Sequence, residues 1–303
     1  MKKILFLLFL VPTLVACSTA TEKPTVLVSI APIKCWVERI AGNKVNTEIL
    51  LNADYNDHKY YPRGDELTKL NNCDIFLGIG VYSEKPILSR ASGTKTADLT
   101  VGIEERNNDT IHNLDRKLRL GIDEPIGARE ASGRKVYMAF GKDKMVWLNP
   151  KELKIINKNI CTALSELSPG DSLYFQDRLA SVIQELDAFH EVLQTELKRL
   201  KGHFVLVMNT SIGYIADEYG FYQIPVHLEN KTEAILELNA IINYAKENNI
   251  KTLIVPNEVL KEDGEKVAKS FDGIVEVFDP YEEDYFANMH KLLKILEKTD
   301  NTK

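Results

Sequence analysis

From Asp171 to Lys201 the chain contains neither proline nor glycine, and Ser168-Pro169 just ahead of it supply an N-cap and first-turn pair. Leu179, Val182, Ile183, Leu186, Phe189, Val192, Leu193, Leu197 and Leu200 recur at three-and-four spacing, leaving a polar opposite face. The pattern predicts one helix over 168–202, closed by Gly202. At 1.5 Å per residue such a helix reaches ~50 Å, as long as a small domain is wide. A rod of that length forces the rest of the chain to pack on either side of it, and it restrains the two sides from wide hinge closure.

On both sides strands alternate with helices. Before the rod, Val26–Ile30, Val45–Leu51 and Cys73–Gly78 read as strands and Pro32–Ala41 as a helix. After it come strands at His203–Met208, Tyr222–Val226, Lys251–Val255 and Ile274–Phe278. Helices over Ser211–Tyr219, Glu233–Asn248, Lys261–Ser270 and Tyr281–Lys298 alternate with them. Parallel neighbours need a crossover, so this order specifies parallel sheets covered by helices. The expected fold is α/β, with two lobes, each a parallel sheet flanked by helices, joined by one long rigid backbone helix. Its expected divisions are an N-terminal lobe (25–167), the interlobe helix (168–202), a C-terminal lobe (203–298) and a tail (299–303). The polar stretch from Gly102 to Lys144, with Gly121, Gly127, Gly133 and Gly141 scattered through it, reads as a long irregular excursion with room for a hairpin.

The N-terminus carries Lys2 and Lys3, an apolar run from Ile4 to Leu10, and then Leu14-Val15-Ala16-Cys17. That run falls short of the ~20 residues a bilayer span takes, and small residues precede the cysteine, so 1–16 reads as a secretory signal. The tetrad resembles the lipobox of bacterial lipoproteins, which implies acylation of Cys17 and a polar tether over 17–24. The protein is then anchored to a bacterial membrane by lipid, facing the periplasm or the cell exterior. A net charge of -6 spread over 303 residues offers no basic stripe to neutralise phosphates, which argues against nucleic acid as a partner. Cys35, Cys73 and Cys161 form an odd set in apolar, mostly helical surroundings and read as buried thiols.

Enzymatic signatures are missing: there is no Gly-x-Ser-x-Gly, no phosphate-binding loop and no His-Glu-x-x-His. Gly78-Ile79-Gly80 lacks the third glycine of a dinucleotide fingerprint and reads as a tight turn. Ligands of open parallel sheets bind beyond the carboxyl ends of the strands. That directs attention to Asp57-His58-Lys59-Tyr60-Tyr61-Pro62, Met145-Val146-Trp147-Leu148-Asn149-Pro150, Asn209-Thr210-Ser211-Ile212-Gly213-Tyr214 and Phe278-Asp279-Pro280. Each has a plain structural reading too. His58 can bond its turn, Asp279 can cap a turn or helix before Tyr281, Met145 can pack a wall, and Asn209 can close a strand end.

Together these four segments resemble the zinc- and manganese-binding lipoproteins of metal ABC importers. The likeness rests on Tyr60, Pro62, Trp147, Leu148, Pro150, Gly213, Tyr214 and Pro280, with Ser29-Ile30-Ala31-Pro32-Ile33 opening the first lobe. The resemblance implies a non-enzymatic, monomeric binding protein that passes a divalent metal ion, zinc or manganese, to a permease and its ATPase. Of the positions where that family carries ligands, His58 and Asp279 hold metal-binding side chains, while Asn209 and Met145 replace imidazoles. Asn209 still offers a carbonyl oxygen, suited to harder cations, whereas a Met145 thioether suits copper(I). Asp54, Asp57, His227 and Glu229 are substitute ligands by position. The same scaffold leaves open a non-metal or metal-complex cargo, or a surface adhesin with no ligand in the cleft.

Overall fold

The computed structural model describes residues 22–51, 62–91, 93–108, 142–208, 210–226 and 232–299. In the first lobe, β1 (Thr25–Val28), β2 (Asn46–Ile49), β3 (Ile75–Gly78) and β4 (Thr96–Asp98) form a parallel sheet in the order β2-β1-β3-β4. Leu27 of β1 lies between Glu48 and Phe76. The central strands are continuous apolar runs because both faces are covered, whereas β2 and β4 at the edges alternate exposed with half-buried residues. Crossovers are made by α1 (Ala31–Ala41), which opens on Pro32 and stops at Gly42 with φ +56°, by α2 (Gly64–Asn72) and by α3 (Glu84–Leu88).

Two helices follow, α4 (Pro150–Leu167) and α5 (Ser172–Leu197), packed along each other as a hairpin. The second of them is the expected long helix, with 3-10 geometry in its first and last turns. Pro169–Asp171 form a 3-10 turn, and Lys198–Leu200 another, so the α-helix proper is 26 residues long. The turn is needed to reverse the chain out of α4, whose last backbone N–H bonds end at Ser168. The apolar stripe holds: Val182, Leu186, Phe189, Leu193 and Leu197 are buried, while Val192 lies 42% exposed.

The second lobe repeats the first. β5 (Phe204–Met208), β6 (Tyr222–Val226), β7 (Thr252–Val255) and β8 (Ile274–Val277) are parallel in the order β6-β5-β7-β8. They are joined by α6 (Gly213–Tyr219), α7 (Thr232–Glu247) and α8 (Lys261–Lys269), with α9 (Tyr285–Glu297) returning to α5. The last helix begins at Tyr285 rather than Tyr281, because Asp284 caps it through a bond to the Ala287 N–H at 3.1 Å. Helix α5 touches α1 of the first lobe and α6 and α9 of the second. One apolar cluster runs through both lobes, from Val26 and Trp36 through Leu186 and Phe189 to Tyr285 and Met289. A second, around Leu206, Ile224, Ile241 and Phe271, belongs to the C-terminal sheet alone.

The excursion is closed at its base by an antiparallel bridge between Asn107 and Lys142. Cys35, Cys73 and Cys161 are free, and burial pushes each thiol up. No described helix is long and apolar enough to cross a membrane. Cys17 lies outside the described residues.

Candidate functional site

Both sheets reverse strand order between their central pair, which marks the carboxyl ends of β1 and β3, and of β5 and β7, as the natural cleft walls. On the first wall the ends of β1 and β3 are tied together by Glu84. Its carboxylate accepts the Ile79 N–H at 2.8 Å, the Gly80 N–H at 3.0 Å and the hydroxyl of buried Ser29. Burial raises its pKa in spite of those bonds. With both oxygens engaged Glu84 fixes the turn at Gly80, whose φ of +77° suits glycine, and is not placed as a ligand.

The segment leading into α4 is bonded to the second lobe. Trp147 is buried and its Nε1–H donates to the Pro280 carbonyl at 2.8 Å, while its ring packs 5.4 Å from that of Tyr281. The Tyr285 hydroxyl donates to the Leu148 carbonyl at 3.1 Å, and Asn149 Nδ2 to the Tyr214 carbonyl at 3.4 Å. Trp147, Pro280 and Tyr214, marked in the sequence as scaffold, thus meet at one interlobe joint.

Asp279 follows β8 and is half-buried. Its Oδ1 accepts the Tyr281 N–H at 2.8 Å, and its backbone carbonyl accepts from Asn288 Nδ2 at 2.8 Å. The turn-capping role is therefore real, and it also holds the carboxylate in one orientation. Met145 is half-buried against the apolar core, and its N–H donates to Asp143 Oδ1 at 2.9 Å. Burial raises the pKa of the Tyr281 phenol, with the Asp279 and Asp143 carboxylates adding to the effect, so both acids lie near this ring. His58 and Asn209 lie outside the described residues, as do Asp54, Asp57, His227 and Glu229. Among the described residues no three His, Cys, Asp or Glu side chains gather as metal ligands. Of the four candidate positions, Met145 and Asp279 are the two that the structure places.

Sequence reading missed Asp143 and Arg106. Asp143 is 2% exposed and pairs through Oδ2 with Arg106 Nη1 at 2.6 Å. Arg106 Nε also pairs with Asp217 of α6 at 2.8 Å, and the guanidinium stands 5.8 Å from the Tyr214 ring centre. Both residues belong to a stretch whose partners are far away in sequence, and no local pattern marks them. Glu152 was missed as well. It is buried in the first turn of α4, and burial, together with the weaker influence of Glu218, lifts its pKa to about 7 against the pull of its own backbone N–H, Lys151 and Asn149.

Residues 26–299 match the family described as ZnuA, zinc-uptake complex component A, periplasmic. The zinc-binding lipoprotein AdcA of Streptococcus pneumoniae serotype 4 is 26% identical over 302 residues, which is 94% of this chain and 58% of AdcA. The metal ABC transporter substrate-binding lipoprotein SloC of Streptococcus mutans serotype c is 23% identical over 275 residues, covering 86% of this chain and 83% of SloC. Among solved structures, a zinc-bound ZnuA deletion mutant superposes with a TM-score of 0.77 at 23% identity, over 93% of this chain and all of that one. At that identity the superposition speaks for the fold.

Proposed function

Because the chain belongs to the family of periplasmic zinc-uptake components, we propose that it is the cargo-binding part of a metal ABC importer and captures a divalent cation between its lobes. The observation that carries this is the family match running through both lobes and across the Trp147–Pro280 joint. Its role is to bind and hand over, not to catalyse. The partners are a permease and an ATPase, and the chain works as a monomer held to the membrane through a lipid on Cys17.

Within the cleft, the ion is held by His58, Asp279 and Asn209, with Met145 at the fourth position. An imidazole, a carboxylate and an amide carbonyl make a harder donor set than the nitrogen and sulfur ligands zinc usually takes. That favours manganese over zinc, and the half-buried thioether serves as wall. The fixed orientation of Asp279 supports this reading, since a ligand carboxylate that is already hydrogen-bonded loses little freedom on binding.

The test is elemental analysis of protein purified without chelator, followed by thermal shifts with manganese, zinc, iron, copper and nickel. A ligand at 100 times its Kd raises native stability by about 2.7 kcal/mol. Asp279→Asn and His58→Ala are each expected to abolish the shift. A shift that survives both would move the site elsewhere in the fold.

A further inference from the structure

We propose that Arg106 and Asp143 are positioning residues that lock the segment carrying Met145 to the first turn of α6, and thereby set how fast the cleft lets go of its cation. The inference rests on the cargo reading above. It starts from the two oxygens of one buried carboxylate: Asp143 Oδ1 accepts the Met145 N–H at 2.9 Å and Oδ2 accepts from Arg106 Nη1 at 2.6 Å. From the other edge of the same guanidinium, Nε reaches Asp217 Oδ2 at 2.8 Å. A planar fork can serve two carboxylates at once, which a lysine ammonium on a flexible stem does less well.

The seat is built for this guanidinium. A Cβ at Gly213 would collide with Arg106 Nη1 and with Asp143 Oδ2, so the pair lies directly on the backbone where α6 begins. The Tyr214 hydroxyl accepts the Arg106 N–H at 3.3 Å and donates to the Asp143 carbonyl at 3.4 Å. The Asp143 N–H in turn donates to the Arg106 carbonyl at 3.0 Å, and Thr210 Oγ1 donates to Asn108 Oδ1 at 3.4 Å. On the first lobe the same strap is held by Tyr82, whose hydroxyl donates to the Lys142 carbonyl at 3.2 Å, while the Lys144–Glu105 ion pair at 3.0 Å ties its two limbs to each other. Residue 145 on one wall and the turn that follows Asn209 on the other are therefore linked through Arg106.

The two arms of the lock differ in strength. The Arg106–Asp143 arm is buried, with side-chain exposures of 12% and 1%, and breaking it would strand a charge away from water. The Asp217 side chain is 62% exposed, so its arm is screened and weak. When the lobes part, the link yields at Asp217 and at the long Tyr214 and Thr210 bonds, while Arg106 stays with Asp143 and Met145.

The full chain tests this with Asp217→Asn, which takes the charge from the exposed arm, leaving at most a neutral amide acceptor, and keeps the buried pair whole. Two quantities are read: the rate at which bound Mn²⁺ or Zn²⁺ passes to excess chelator, and amide exchange over residues 142–148 and 213–219 in the metal-free chain. D217N is expected to release metal about two- to fivefold faster at unchanged stoichiometry, the range an exposed ion pair commands. Exchange should rise in both segments, and Asp217→Glu should restore both readouts. Arg106→Lys, which keeps the charge and loses the fork, should also speed release. Wild-type release rates in D217N, or unchanged exchange over 142–148, would overturn the lock. If the wild-type chain takes up neither Mn²⁺ nor Zn²⁺, the cargo reading falls instead, and the exchange result alone decides whether Arg106 couples the lobes.

Discussion

Glu152 stands in the first turn of α4 behind the interlobe joint, facing Asn149 and Lys151 on its own helix, Tyr214, Glu218 and Tyr219 on α6, and Tyr285 on α9. Its Oε2 is buried without a hydrogen-bond partner, so the carboxyl keeps its proton up to about pH 7 rather than 4.5. Between those values the native state binds more protons than the unfolded one, and stability must fall as pH rises through that window. The loss is complete above the native pKa and is on the order of 3 kcal/mol at most. Glu152→Gln cannot ionise. It should match the wild type near pH 4.5, exceed it by about 1–3 kcal/mol at pH 8, and flatten the slope between. Urea unfolding at both pH values checks this, and parallel pH profiles for the two proteins would refute it. Nothing in Pro150-Lys151-Glu152 announces a buried acid: an acidic first turn looks identical whether it faces water or a neighbouring lobe. Gly213 was legible as scaffold but not its reason, which is the Arg106 guanidinium lying on it. Gly213→Ala should cost about 1–3 kcal/mol in a denaturant titration, as overpacking does, because the neighbour in the way is a buried ion pair.

At the scale of elements, the strands after β4 were readable to within a residue or two because a buried parallel strand leaves a short apolar run bounded by turns. Tyr222–Val226 coincides in full with β6. Short edge strands leave no such run, and β4, three residues of Thr-Ala-Asp, was invisible. The expected rod runs from Pro169 to Leu200 as foreseen, but its first and last turns tighten to 3-10 geometry, which apolar periodicity does not distinguish from α. The joint between lobes is likewise made of pairs distant in sequence. Its motif residues were legible through the family resemblance, but the bond from Trp147 Nε1 to the Pro280 carbonyl was not. Trp147→Phe keeps most of the apolar area and leaves that carbonyl unpaired in the interior. It should cost about 1–3 kcal/mol and speed metal release, measured by denaturant midpoint and chelator competition. Full stability with unchanged release would mean that the joint does not depend on this bond.

For the whole molecule the decisive fact is that one apolar cluster includes β1 and β3 of the first lobe, β5 of the second, and the inner faces of α4, α5 and α9. Two lobes that share a core cannot melt independently unless the shared layer survives alone, and a helix hairpin with one face stripped would not. Leu186, fully buried midway along α5, lies in that layer. Truncation there, as Leu186→Ala, should cost about 2–5 kcal/mol. Both lobes should lose it together. The amide signals of β1 and β3 and those of β6 and β7 report on opposite lobes, so their unfolding midpoints in urea should shift equally and stay coincident. Separated midpoints would mean that the second cluster, around Leu206, Ile224 and Phe271, holds the C-terminal sheet by itself. Coincident ones would leave the cleft little freedom beyond the give of its weakest interlobe contacts, which places the control of cargo exchange at contacts such as Arg106–Asp217 rather than in a hinge.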